Sequence, residues 1–277
     1  MIRRIHFIAC IFALLVGCSP KQPTELNGVP KRIISFAPGI TETLYALELG
    51  HKVVGATTYC LYPEEAKALP RVGGFGQYNF EAIVALKPDL VILHRGQEAE
   101  KLRLDGLGIP YIDVETRRMN DILESIKTIG TACGANEEAQ ILLDDMHKQM
   151  AALIQNSGKH PRVLITFGIN LDQIHAFGTD CLHHDLLERA GGINVIEQNL
   201  PFSTLSKEAV IRLNPDIIIQ LSPGTEPSDD RSKPWKQFAS VEAVKNNQIH
   251  VLTGDYTCIP GPRFLQILKD FDTITQQ

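Results

Sequence analysis

At 277 residues, 44% apolar and 21% charged, the chain has an ordinary globular composition and enough length for one large domain or two lobes. Its formal charge is −5 and no run is basic enough to hold a polyanion, which excludes nucleic acid as a partner. Without residues 1–17, which carry Arg3 and Arg4 and no acid, the charge is −7, so an anionic ligand would need a local basic patch.

The first element is a targeting segment. Arg3 and Arg4 precede an apolar run at 5–16, too short for a spanning helix of about 20 residues. The run ends in Leu15-Val16-Gly17-Cys18, the pattern of a secretory signal with a lipobox. Residues 1–17 are therefore expected to be removed and Cys18 to carry lipid; the alternative is an unlipidated signal with a chance cysteine. Residues 18–30 are polar and Pro-bearing, which predicts a tether and a periplasmic protein anchored to a membrane through Cys18. Cys10 leaves with the signal, and Cys60, Cys133, Cys181 and Cys258 face an oxidising compartment. One or two disulfides, with Cys181 and Cys258 as a candidate pair, stand against free buried thiols.

Next comes strand-helix alternation. Strand 32–36 leads to a helix at 40–49 stopped by Gly50, then strand 53–55. Asn79 caps a helix through Leu86, Pro88 ends it, and strand 90–93 follows. Helix 97–107 and strand 111–114 complete a set of parallel βαβ units. The pattern then changes to helix 121–132, a break at Gly134, and a helix capped by Asn136 over 137–155 that serves as a bridge at 136–157. Alternation restarts with strand 162–167 and helix 182–190. Ser206 caps helix 207–213, Pro215 ends it, and strands 217–219 and 249–252 precede a closing helix at 262–274.

The two halves share a phrase. Residues 81–92 read EAIVALKPDLVI and residues 208–219 read EAVIRLNPDIII, 127 positions later. The repeat predicts two lobes of like design, 31–133 and 160–274, each with a parallel-type sheet and flanking helices.

Enzyme signatures are scarce: there is no GxSxG, Walker loop or HExxH, and Gly73-Gly74-Phe75-Gly76 does not match a dinucleotide fingerprint. His183 and His184 diverge by about 100° on a helix, so they read as surface or capping residues rather than a metal pair. The loops instead carry rings at Tyr59, Phe75, Phe167, Phe202 and Asp255-Tyr256, with His94-Arg95-Gly96 after a strand. Carboxyl ends of parallel strands are where ligands bind, and a cleft of rings suits a bulky, partly apolar ligand.

Tyr59, Tyr62-Pro63, Asn79, Glu81, the run 83–92, Arg95-Gly96, 167–170, Pro201, Ser206, Glu208 and Pro262-Arg263 together carry a resemblance. The chain resembles the periplasmic substrate-binding proteins for vitamin B12 and ferric siderophores across residues 31–274, and is most similar to the vitamin B12-binding members. The resemblance implies a class III architecture: two lobes joined by one long bridging helix. It implies ring packing on a corrinoid by Tyr59, Phe75, Phe167 and Phe202, with Asp255 near the ligand and Tyr256 beside it. His94 stands where those members have tryptophan, open to a corrinoid edge, haem iron or a siderophore.

Glu81 and Glu208 each lie two residues after a cap, where the helix dipole alone favours a carboxylate by about 0.3–1 kcal/mol. As a pair on related lobes they match, in the family, glutamates that dock onto arginines of a permease dimer. The expectation is a monomeric, non-enzymatic binding protein without a cofactor, delivering cobalamin or a related corrinoid to an inner-membrane permease with its cytoplasmic ATPase. A ferric siderophore or haem cargo is the nearer alternative and an exported hydrolase the remoter one.

Overall fold

In the computed structural model, residues 28–153, 158, 160–168, 170, 172–224 and 232–277 are described. The signal at 1–17, Cys18, most of the tether and positions 154–157 of the expected bridge lie outside them. Chain order in the first half is β1 (Ile33–Ser35), α1 (Pro38–Ala46), β2 (Val53–Ala56), β3 (Gly73–Gly74), β4 (Gln77–Tyr78), α2 (Phe80–Ala85), β5 (Leu90–His94), α3 (Glu98–Leu107) and β6 (Tyr111–Val114). Strands β2-β1-β5-β6 form one wholly parallel sheet, and β3 with β4 makes a separate hairpin.

Two helices follow, α4 (Met119–Cys133) and α5 (Asn136–Ala152), and α5 lies against α4 on the way to the second half. Asn136 is the first helical residue rather than the cap. Ala135 takes the cap position, and the Asn136 Oδ1 accepts from Thr131 Oγ1 at 2.9 Å.

The second half runs β7 (Arg162–Phe167), β8 (Ile174–Phe177), α6 (Leu182–Arg189), β9 (Ile193–Asn194), β10 (Phe202–Leu205), α7 (Lys207–Leu213), β11 (Ile217–Leu221), α8 (Glu242–Lys245), β12 (Ile249–Leu252) and α9 (Phe264–Thr275). Its sheet has the order β10-β8-β7-β11-β12 with β9 paired to β7. Strands β7, β9, β11 and β12 are parallel, and β8 and β10 add an antiparallel edge.

Strands buried on both faces explain the unbroken aliphatic runs. Along β1, Ile33 faces the central core and Ile34 the outer one; along β11, Ile217 and Ile219 face inward and Ile218 outward. The central core is continuous through both sheets, α1, α4, α5, α6 and α9, so the lobes share an apolar interior. Trp235 is fully buried in the outer core of the second sheet, with its ring N–H donating to Gln220 Oε1 at 2.8 Å.

Polar contacts reinforce that junction. The Arg118 guanidinium forks onto Asp185 in the first turn of α6, with Nε 3.0 Å from both carboxylate oxygens, and the Met119 N–H donates to the same group at 2.9 Å. On the other flank Arg263 donates to Glu42 of α1 at 2.6 Å. Between them the backbones touch: a Cβ on Gly39 would lie 2.2 Å from the Pro260 carbonyl oxygen, so no larger residue fits there.

Candidate ligand cleft

The carboxyl ends of both sheets converge on a cavity of about 450 Å³. From the first lobe, Phe75 projects from the β3–β4 turn at 74% exposure, His94 closes β5, and Glu115 to Arg117 follow β6. From the second lobe come Phe167 at the end of β7, Phe177 at the end of β8, the start of α6, and Phe202 opening β10. Phe75, Phe167 and Phe202 are all more than two-fifths exposed. Three exposed rings from two lobes, with the buried Phe177 packed against Phe202 at 4.6 Å, thus form an apolar lining, the arrangement that captures a large flat or bulky ligand.

Each wall has an organised polar element. On the first, the His94 backbone N–H donates to Gln97 Oε1 at 2.9 Å, and Gln97 Nε2 donates to the Tyr78 hydroxyl at 2.7 Å. Tyr78 stacks on Phe36 at 4.1 Å, which fixes the strand end. Burial pushes the His94 imidazole below its ordinary value, so it is neutral at neutral pH; its Nδ1 lies 3.3 Å from Thr116 Oγ1. On the second wall His183 is buried, tilted against Phe177 at 4.1 Å, with Nε2 2.7 Å from the Thr257 carbonyl oxygen, so that nitrogen carries the proton. Burial lowers its pKa to about 4. His183 is therefore a cavity-lining core residue, not the surface or capping residue expected; its partner His184 reaches Glu188 at 3.5 Å.

Cys181 and Cys258 also line the cavity, and all four cysteines of the described residues are free. Burial raises the Cys181 thiol and pushes that of Cys258 up to about 11, so neither is a ready thiolate. Cys181 Sγ points at the Gly178 carbonyl oxygen at 3.4 Å, and the His183 N–H is engaged with Thr257. The nucleophile–base pairing that a hydrolase would require is not made. Among the described residues no group of three or more His, Cys, Asp or Glu is poised to hold a metal ion.

Charged groups rim the cleft. Arg117 pairs with Asp180 at 3.0 Å and with Glu115 at 3.7 Å, while Arg95 is exposed at the end of β5.

Three residues expected at the ligand lie off this lining. Tyr59 is 63% exposed and its ring flanks Gly74, where a Cβ would come within 3.2 Å, so it buttresses the hairpin that carries Phe75. Asp255 is held by Arg263 at 2.8 and 3.1 Å, which keeps its carboxyl below the usual range. The Tyr256 hydroxyl donates to Asp270 at 2.6 Å. The turn after β12 is thereby drawn toward α9, and it is Cys258 and Pro260 that reach the cleft. Thr116, Arg117 and Phe177 are lining residues that the sequence did not single out, although the first two follow a parallel strand, the same signal that flagged His94.

Glu81 and Glu208 are both exposed, in the first turns of α2 and α7. Asn79 Oδ1 accepts from the Ala82 N–H at 3.0 Å and Ser206 Oγ from the Ala209 N–H at 3.3 Å, so both expected caps form. Helices α2 and α7 each lead into a parallel strand, which places both first turns on the side where the strands end, the side of the cleft. Hydrogen bonds from its own backbone N–H and from Ser206 hold the Glu208 carboxyl below the ordinary value.

The sequence profile described as Periplasmic binding protein matches residues 33–256. A substrate-binding lipoprotein of an ABC transporter from Bacillus subtilis, YvrC, is 27% identical over 94% of this chain and 84% of its own. The vitamin B12-binding protein of Vibrio cholerae is 27% identical over 97% of this chain and 96% of its own. A crystal structure of the Vibrio cholerae B12-binding protein covers 89% of this chain and 97% of its own, with a TM-score of 0.75 at 26% identity. A periplasmic heme-binding protein of Roseiflexus also has a TM-score of 0.75, at 25% identity, over 90% of this chain and 98% of its own.

Proposed function

Because the chain belongs to the periplasmic binding protein family, whose members bind solutes and are not enzymes, we propose that it captures cobalamin or a related corrinoid in the interlobe cleft. At the coarser level the assignment is direct: it has the class III fold and is the extracytoplasmic substrate-binding component of an importer for vitamin B12, siderophore or haem, working with a membrane permease and an ATPase. The observation that carries the finer reading is the lining itself: Phe75, Phe167, Phe177 and Phe202 from both lobes, with only neutral imidazoles and few free charges between them. An anionic siderophore would favour several converging cations, and here Arg117 is already paired. Tyr59, Asp255 and Tyr256 act in this reading as supports at the rim, not as surfaces under the ring.

Calorimetric titration with cyanocobalamin, cobinamide, haemin and a ferric hydroxamate tests the cargo. Tryptophan quenching is a poor reporter, since Trp235 is buried in the outer core of the second sheet. Both corrinoids are expected to bind, and Phe167→Ala or Phe202→Ala to weaken them about tenfold, roughly 1.4 kcal/mol per stacked ring. Binding of the hydroxamate with none of either corrinoid would overturn the assignment and leave the fold intact.

Haem is the second reading, favoured by the neutral His94 imidazole in the cleft wall, an available iron ligand. A Soret shift abolished in His94→Ala would establish it. Delivery uses Glu81 and Glu208 as the docking carboxylates for basic pockets on the permease, and Cys18 as the lipid attachment. Cys18→Ser should release the protein from the membrane fraction; retention there would remove the anchor from the account.

A further inference from the structure

Two guanidiniums line the ligand cleft, and they differ in what surrounds them. Arg117 is compensated: Asp180 of the second lobe lies 3.0 Å from one of its nitrogens and Glu115 3.7 Å from another. Arg95, exposed where the chain leaves β5, lines the same cavity, and among the described residues it has neither an ion pair nor a side-chain hydrogen bond. Acids are nonetheless close by. Arg95 also borders a small cavity with Asp113, Glu115, Asp121 and Glu124, and each of these four is engaged elsewhere. Asp113 pairs with Lys101, Glu115 with Arg117 and Glu124 with Lys127 at 3.9 Å, while Asp121 accepts from the Arg118 N–H at 2.9 Å. The base of the Arg95 side chain is fixed all the same, because its backbone N–H donates to the Val114 carbonyl at 2.9 Å.

An exposed guanidinium without a partner is unremarkable in water, where hydration satisfies it. In this position it matters, because the rings of Phe75, Phe167 and Phe202 make the same cavity the place where a ligand lies. A ligand that fills the cavity displaces part of the water around Arg95. A bulky ligand with no negative group would desolvate the charge without return, whereas one with an anion beside its apolar body would gain a forked, charge-assisted pair. The neighbouring His94 imidazole is neutral and supplies no countercharge. The chain as a whole repels anions, with a formal charge of −5, so attraction for one has to be local. One uncompensated cation matches one negative group.

We propose that Arg95 selects the cargo by a single anionic group, pairing with the phosphodiester of a corrinoid's nucleotide loop while the rings take the corrin. The inference rests on the corrinoid reading above and adds a preference to it. Complete cobalamin is favoured over cobinamide, which has the same corrin ring but lacks the nucleotide loop and its phosphate.

Cyanocobalamin and cobinamide, each titrated by calorimetry into the parent protein, Arg95→Gln and Arg95→Lys, test the pairing. Arg95 is exposed and makes no side-chain bond among the described residues, so neither substitution threatens the fold. Arg95→Gln should weaken cyanocobalamin roughly tenfold and leave cobinamide within about twofold, with Arg95→Lys between them because an ammonium keeps the charge and loses the fork. Raising salt from about 50 to about 500 mM should weaken cyanocobalamin on the parent protein and not on Arg95→Gln, a dependence that a purely structural residue would not show. Phe167→Ala, by contrast, should weaken both corrinoids alike. If Arg95→Gln leaves cyanocobalamin undiminished, or weakens the two corrinoids equally, the inference falls and the corrinoid reading stands. If the parent protein binds neither corrinoid, both fall together.

Discussion

The junctions at Leu86–Asp89 and Leu213–Asp216 solve one problem, ending a helix and starting a parallel strand within four residues, and they solve it with unequal strength. In both, the residue before proline is left-handed, with φ of 46° at Lys87 and 44° at Asn214. In both, the aspartate after the proline accepts from the backbone at the start of the neighbouring strand. Asp89 takes two such bonds, from Lys31 at 2.9 Å and Arg32 at 2.8 Å; Asp216 takes one, from Arg162 at 2.8 Å. An arginine then reaches back to the orphan carbonyls of the helix end. Arg32 makes three contacts, to Leu86 and Lys87, where Arg162 makes one, to Asn214 at 3.2 Å. The second copy gains elsewhere: Asn214 Oδ1 accepts from the Glu242 N–H at 2.9 Å and so ties in α8. The repeated Leu-x-Pro-Asp is thus explained by folding alone. The glutamate that opens each copy faces solvent, where the helix dipole alone favours it modestly, and the proposed docking role is what would set it apart as the functional half of the repeat.

The largest effect should come from breaking that functional half of the repeat. Charge reversal at both sites, Glu81→Lys with Glu208→Lys, places like charges against the proposed basic pockets, which costs several kcal/mol at an interface. Uptake should fall more than a hundredfold in a growth or uptake assay, while ligand affinity and thermal midpoint stay unchanged. Each single reversal should keep a measurable rate, because one lobe still docks. If the double variant transports normally, the two glutamates are helix-dipole residues and nothing more.

The structural half is tested by Asp89→Ala against Asp216→Ala. Losing two charge-assisted backbone bonds should destabilise by about 2 kcal/mol and losing one by about 1 kcal/mol, read from urea midpoints at constant m-value. Equal losses would mean that the bond count at the two junctions does not set their strength.

These junctions also mark what the sequence made legible. Strands such as 90–94 and 217–221 are buried on both faces, so an unbroken aliphatic run announces them, and the turn chemistry around Pro88 and Pro215 fixes their boundaries. β8 and β10 carry no such signal: each is four residues long, with exposed positions interleaved, and their pairing is settled by β7 rather than by local sequence. In the cleft, His94 and Phe167 were visible because they end parallel strands, Phe75 because it sits in a glycine turn, and Phe202 as a ring in a connection between strands. His183 was not, because which face of α6 is buried depends on Thr257 and Phe271, distant in the chain. Asp255 and Tyr256 lie off the cavity lining for a similar reason: Arg263 and Asp270 hold their side chains after the strand has ended.

The smallest expected effect is the sharpest comparison, because its sign differs between the copies. A lysine in the left-handed region is strained by about 1–2 kcal/mol, which glycine relieves at a cost of about 0.5–1 kcal/mol in unfolded-state entropy. Lys87→Gly should therefore stabilise by about 0.5 kcal/mol. Asn214 already tolerates the left-handed conformation, and its side chain accepts from Glu242, so Asn214→Gly forfeits a hydrogen bond and gains little. It should destabilise by about 0.5–1 kcal/mol and loosen α8, seen as faster amide exchange over residues 242–245. Stabilisation by both substitutions would show that the Asn214 bond contributes nothing, and that the two copies differ in sequence without differing in how they hold the fold.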